Sequence, residues 1–217
     1  MICVRRRHTS SFETIMTFDT LSLILIYSIV FAVALAVTAK SFDEFETKII
    51  ANYASASYCD ITNLESWTCS RCNDGFELIA AQLDDNNQLQ FIVGYDLYFN
   101  ASIVAFRGTV NGNWLRDFTF FTANAQQFFH DTSLPQNATV HKGFIKGYEL
   151  LKPNLVPILK KAVLRANHLI VTGHSLGGAL ATMAAADVVI NFQLENVWLY
   201  SFGSPRTGDY GFTQVRR

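Results

Sequence analysis

The chain has 217 residues, half of them hydrophobic and 13% aromatic, and its formal net charge is −1. That length and apolar content can bury one sizeable core, so one folded domain is expected. The near-zero charge excludes the broad basic surface of a nucleic-acid partner.

Arg5-Arg6-Arg7 is the one basic cluster, and it precedes residues 21–39, an uncharged apolar run ending in Val37-Thr38-Ala39. Positive residues, an apolar core and small residues for a signal peptidase are the layout of a secretory signal. The run is also just long enough to span a bilayer. A cleaved signal and a retained anchor through residues 21–39 therefore both stand, and Met16 as the start would shorten the leader to an ordinary length. Either way residues 40–217, the expected folded domain, enter the secretory route. Asn100-Ala101-Ser102 and Asn137-Ala138-Thr139 are glycosylation acceptor sequences in expected loops. Cys59, Cys69 and Cys72 cluster where an oxidising compartment favours a disulfide. Cys69-x-x-Cys72 lacks the second ligand pair a zinc site needs, so no metal is expected.

After the leader, Ser41 or Asp43 can cap a helix running to about Tyr58. Phe42, Phe45, Ile49 and Ile50 form its apolar stripe, read as core. A cysteine-containing loop, residues 59–75, follows. Phe76–Leu83, Leu89–Gly94 and Ala101–Phe106 read as strands separated by Asp84-Asp85-Asn86-Asn87 and by Tyr95–Asn100, an antiparallel meander. Phe106-Arg107-Gly108-Thr109 then leads into Val110–Phe121, an aromatic-rich stretch interrupted by polar residues, either fixed packing or a mobile cover. His141-Lys142-Gly143-Phe144 opens a helical region that Pro153 and Pro157 break or restart before Leu155–Ala166. Val197–Phe202 reads as a further strand, ending at Gly203-Ser204-Pro205-Arg206-Thr207-Gly208-Asp209.

The most informative stretch is Leu169–Leu180. An apolar, β-prone run meets Gly173, Ser175 and Gly177, and a small-residue helix follows to about Asn191. This is Gly-x-Ser-x-Gly with a strand before and a helix after, a turn that projects the serine hydroxyl from the end of a sheet. Strand and helix must pass closely, and glycine at 173 and 177 meets that demand because neither carries a Cβ. A serine hydroxyl is a poor nucleophile at neutral pH until a base takes its proton.

Five separated segments resemble the class 3 lipases, the fungal-lipase-like branch of the α/β-hydrolases. They are Ala54 to Tyr58, Val104–Thr109, Asn113-Trp114 with Asp117, Val140–Phe144 with Val171–Ala181, and Ser201–Gly208. The resemblance implies an α/β-hydrolase-like three-layer fold around a central mixed sheet. It implies hydrolysis of carboxylic esters, acylglycerols above all, with no metal or organic cofactor, on a lipid or ester substrate at a lipid–water interface. Ser175 would be the nucleophile. The N–H of Leu176 and the N–H and hydroxyl of Thr109 would bind the oxyanion. Val110–Phe118 would be the lid, with Trp114 and Phe118 entering the lipid surface.

One part of the pattern is missing. The triad of that fold runs serine, acid, histidine along the chain, yet His8, His130, His141, His168 and His174 all precede Ser175. His141 belongs to a matched segment that does not supply the family's base. Asp209 occupies the turn after the matched Pro-Arg, not the family's acid. The expectation is a domain incomplete at its C-terminal side, either a partial record of a secreted lipase or a natural fragment that binds lipid or a partner without turnover. An esterase on soluble esters stays open beside the lipase.

Overall fold

The computed structural model describes residues 43–110, 121–166, 168–194 and 196–214. The expectations for the leader, and for Trp114 and Phe118, fall outside the described residues. Asp43, in an extended conformation, accepts the Glu46 N–H at 2.9 Å and starts helix α1 (Glu44–Ala56), whose first turn carries Glu44 and Glu46. The buried face differs from the expected stripe. Ile50, Tyr53, Ala54 and Ala56 are buried, whereas Phe45 is exposed and lies edge-on to Tyr98. Within the loop expected after α1, Asp60 caps a short helix, α2 (Ile61–Glu65). Cys69 is bonded to Cys72, and Cys59 is a free thiol.

Strands β1 (Phe76–Asp84), β2 (Leu89–Asp96) and β3 (Ala101–Phe106) form the expected antiparallel meander. Two short strands, β4 (Thr122–Asn124) and β5 (Thr139–His141), make a separate antiparallel ribbon flanking α3 (Ala125–Phe129). Helix α4 (Lys142–Ala162), β6 (Leu169–His174), α5 (Leu176–Asn191), β7 (Val197–Phe202) and a 3₁₀ turn (Phe212–Gln214) follow. The main sheet runs β1-β2-β3-β6-β7, with β3, β6 and β7 parallel, so it is mixed as the resemblance implied.

Alternation along the central strands sends side chains to two cores. Phe91, Val93, Val104, Phe106 and Val171 pack with α4 and α5 on one face. Ile92, Ile103, Ala105 and Ile170 pack with Ile50 and Tyr53 of α1 on the other. Helices on both faces of one sheet give three layers.

Pro153 and Pro157 do not break α4, which runs unbroken through both. Phe144, Tyr148, Leu151, Leu155 and Leu159 hold its inner face in the core, while both prolines lie on the exposed face. There the carbonyls of Glu149 and Pro153, which lose their N–H partners, turn to water. Packing on one face thus outweighs the defect on the other. Pro153→Ala should consequently stabilise the protein by about 1–2 kcal/mol by restoring one helical hydrogen bond. A urea unfolding midpoint above wild type is the expected result, and a lower one would show that the proline ring itself packs.

Candidate active site

Phe106 lies opposite Gly173, and His174 opposite Phe202, so β3, β6 and β7 end together. Loops leaving the carboxyl ends of parallel strands surround a crevice. Here they are Arg107–Thr109, Ser175, and Gly203–Asp209.

Ser175 has φ +55° and ψ −125°, a conformation costly for a side chain that carries a Cβ. It persists because both ends of the residue are held. Its N–H donates to the Phe202 carbonyl at 2.9 Å, and its carbonyl accepts from the N–H of Gly178 at 2.9 Å and of Ala179 at 3.3 Å. A Cβ on Gly173 would lie 2.3 Å from the Gly177 carbonyl carbon, and one on Gly177 would lie 2.1 Å from the Phe106 oxygen. The two glycines therefore seat the start of α5 directly on the ends of β6 and β3. Serine is a favoured helix cap, yet Ser175 occupies the cap position of α5 and makes no side-chain cap bond. Its hydroxyl faces instead a cleft of about 730 Å³ shared with Leu176, His141, Phe144, Arg206 and Asp209. Helix α5 directs its positive end at the same place.

Thr109 does not line this cleft, but it follows the loop that packs against the serine turn. A Cβ on Gly108 would meet the His174 carbonyl at 2.6 Å. The Thr109 hydroxyl is buried and, among the described residues, has no hydrogen-bond partner. Arg107 fixes the root of that loop. Its N–H donates to the Gln90 carbonyl at 2.9 Å, its Nη1 to Gln90 Oε1 at 3.2 Å and its Nη2 to the Gln88 carbonyl at 2.9 Å. Gln90 in turn donates to the carbonyls of Ser57 and Cys59 at 2.7 and 2.9 Å. Burial lowers the guanidinium's affinity for its proton, and the fields of Tyr58 and Asp85 work against that shift.

The histidines and the acid near the cleft are already engaged. His174 Nδ1 meets the Tyr58 hydroxyl at 2.9 Å. His141 Nδ1 accepts the Gly143 N–H at 3.0 Å, capping α4, so its proton sits on Nε2 when it is neutral. Burial raises the Asp209 carboxyl, but hydrogen bonds from the Thr139 and Phe212 N–H groups and the Thr139 hydroxyl, with the charge of Arg206, outweigh this and hold it low. Asp209 thus braces the turn. Among the described residues no group of histidine, cysteine and acidic side chains could hold a metal ion. Arg107 and Tyr58 received no role from the sequence; the signal was their membership in matched segments.

The family model for lipase (class 3) matches residues 103–217, just over half the chain. The chain belongs to the class 3 lipase family. The secreted mono- and diacylglycerol lipase A of Penicillium camembertii is 30% identical over 187 residues, covering 80% of this chain and 58% of that lipase. The lipase of Rhizopus oryzae is 30% identical over 192 residues, covering 82% and 45%. Among solved structures, the native propeptide complex of Rhizomucor miehei lipase superposes with a TM-score of 0.67 at 26% identity, covering 82% of this chain and 58% of that one. A triacylglycerol lipase whose catalytic centre is a serine protease triad gives 0.68 at 26% identity, covering 82% and 68%. This class 3 lipase chain spans a little over half the length of the first curated relatives it matches.

Burial also holds His141 below its ordinary value of 6.5. The unfolded chain then takes up this proton first, so the group's contribution to stability is complete above pH 6.5 and is lost as pH falls toward the folded-state value. Protonation would also turn the Nδ1 acceptor into a donor and break the cap. His141→Asn keeps a capping side chain without a titrating group. Its unfolding free energy should fall less than wild type's between about pH 7 and pH 5. Equal slopes in urea melts would assign the pH dependence to another group.

Proposed function

We propose that this chain carries the nucleophile and oxyanion-binding half of a secreted carboxylic ester hydrolase that acts on acylglycerols at a lipid–water interface. The observation that carries the reading is Ser175 itself: a serine at a helix cap, held at φ +55°, with its hydroxyl withheld from capping and turned to a cleft. Evolution of a strained serine that does not cap its own helix is accounted for by chemistry at its oxygen.

In this reading Ser175 Oγ attacks the ester carbonyl carbon while a base removes its proton. The carbonyl oxygen becomes an oxyanion held by the Leu176 N–H, the Thr109 N–H and the otherwise unpartnered Thr109 hydroxyl. Collapse expels the alcohol with a proton and leaves an acyl-serine, which water then hydrolyses. Among the described residues no hydrogen bond joins the Ser175 hydroxyl to a histidine, and His141 and His174 present Nδ1 to other partners. The base is therefore to be sought outside the described residues. Phe144, Leu176 and Pro205 give the cleft apolar surface suited to an acyl chain.

The same reading gives Trp114 and Phe118 to the cover that enters the lipid surface, and residues 1–39 to a signal or anchor. Secretion is supported by relatives named as secreted, by the Cys69–Cys72 bond, and by the exposure of Asn100 and Asn137 at their acceptor sequences.

In a complete version of this protein, Ser175→Ala should abolish hydrolysis of short- and long-chain glycerol esters while leaving the unfolding transition in place. Activity retained in the purified variant would sink the mechanism. Thr109→Val should lower kcat by about 10²-fold with a much smaller change in KM, because the hydroxyl acts on charge that develops in the transition state. An unchanged kcat would remove that hydroxyl from the site. A rate that rises sharply as substrate passes its solubility limit marks a lipase, and a smooth saturation curve marks an esterase on soluble esters.

A further inference from the structure

One hydroxyl joins the two halves of the site. Tyr58 follows α1, 116 residues before the residue it meets, and its ring reaches over the ends of β3 and β6. Its oxygen packs against the Gly108 backbone. The same hydroxyl bonds His174 Nδ1 at 2.9 Å and lies 3.3 Å from the His174 carbonyl. One oxygen therefore touches the Gly108 backbone on one side and His174 on the other. Gly108 precedes Thr109, and His174 precedes Ser175. The space is filled: a Cβ on Gly108 would fall 2.0 Å from the Tyr58 hydroxyl oxygen.

We infer that Tyr58 is a positioning residue: its hydroxyl pins the Arg107–Thr109 loop to the serine turn and so fixes the distance between the Thr109 donors and Ser175. The inference rests on the roles given above to those two residues. Neither loop is tied to the other by a regular ladder, because β3 pairs with β6 only as far as Phe106 and Gly173. Beyond that point Tyr58 supplies the link. Its own backbone is anchored by its N–H to the Ser55 carbonyl at 3.1 Å, and the adjoining Ser57 and Cys59 carbonyls receive Gln90, the residue that also holds Arg107. Tyr58 and Arg107 therefore brace the loop from the same platform, one at Gly108 and one at its root. The energetic logic is preorganisation: donors for a transient oxyanion act only if they do not have to move when the charge forms.

Tyr58→Phe removes the hydroxyl and keeps the ring. Amide hydrogen exchange on this chain and steady-state kinetics on a complete version of the protein test it together, with Ser175→Ala alongside. Exchange of the Gly108 N–H should quicken by about tenfold, the weight of the lost Tyr58–His174 hydrogen bond that holds the loop, with protection across β2 and β3 unchanged. Turnover should fall by a similar factor with KM within about twofold, since the loop acts on the transition state. Unaltered exchange at Gly108 would overturn the inference, as would quickened exchange with kcat unaffected. Exchange rising throughout β2 and β3 would also overturn it, by showing a general role in folding. Ester hydrolysis by Ser175→Ala at the wild-type rate would sink the reading of Ser175 in its own arm, and the exchange at Gly108 would still decide whether Tyr58 is the tie.

Discussion

The structure depends on how closely α5 is allowed to approach the ends of β3 and β6. Glycine at 173 and 177 removes two side chains from that junction: the Gly177 backbone fills the space beside Gly173, and the Phe106–Arg107 backbone fills the space beside Gly177. Once α5 starts there, the residue joining β6 to α5 has to turn within a single step, and Ser175 takes the positive φ that results. The strain is balanced by burial farther along. Ala179, Leu180, Ala181, Met183 and Ala184 are fully buried in the core that α5 shares with α4, and that packing holds the helix against the sheet. Because Gly177 also abuts Phe106 and Arg107, the serine turn and the root of the loop after β3 are placed together, and Tyr58 reaches the loop beyond that root.

Two buried charged groups show how differently the interior treats structure and site. Asp187, in α5, accepts from the Tyr148 hydroxyl at 2.7 Å, from Lys152 at 2.9 Å and from Asn191 at 2.6 Å. It is fully served, burial and that carboxylate together drive the Tyr148 phenol's pKa far up, and the group clips α4 to α5. Arg107, 8% exposed, meets only neutral oxygens through its hydrogen bonds and keeps Nε without a partner among the described residues. The nearby Thr109 hydroxyl is likewise unserved. Unsatisfied buried groups are rare and need a reason. Their concentration in the loop beside Ser175 fits a place where rigidity and open donors matter more than stability.

What the sequence made legible follows from how local each signal is. Strands such as Ala101–Phe106 and Val197–Phe202 are apolar runs bounded by turn residues, and the glycine–serine turn announces itself within five residues. The face of α1 was misjudged because Phe45 and Ile50 look alike in composition, and only the position of the sheet decides which one it covers. Pro153 and Pro157 misled for a similar reason. Their local defect is real, but they share the solvent face, and the leucines that override them contact β-strands far away in sequence. The α3 ribbon pairs segments with little β-prone character of their own. Tyr58 bridging to His174 lies beyond any local rule, since neither residue carries a marker of its partner.

The walls of the cleft are coupled in a way that bears on substrate choice. The Thr139–His141 strand and the Thr207–Asp209 turn hold each other by the His141 N–H to the Thr207 carbonyl at 2.9 Å and the Asp209 N–H to the Thr139 carbonyl at 3.0 Å. The Thr139 hydroxyl on Asp209 at 2.8 Å completes the set. Gly208 allows this approach, for a Cβ there would meet the Thr139 oxygen at 2.7 Å. That wall carries His141 and Arg206, while the opposite side carries Ser175 and Leu176 on the β6–α5 junction. Both sides are thus rigid for independent reasons. A substrate has to fit a gap already set by backbone contacts, and discrimination falls to the side chains lining it.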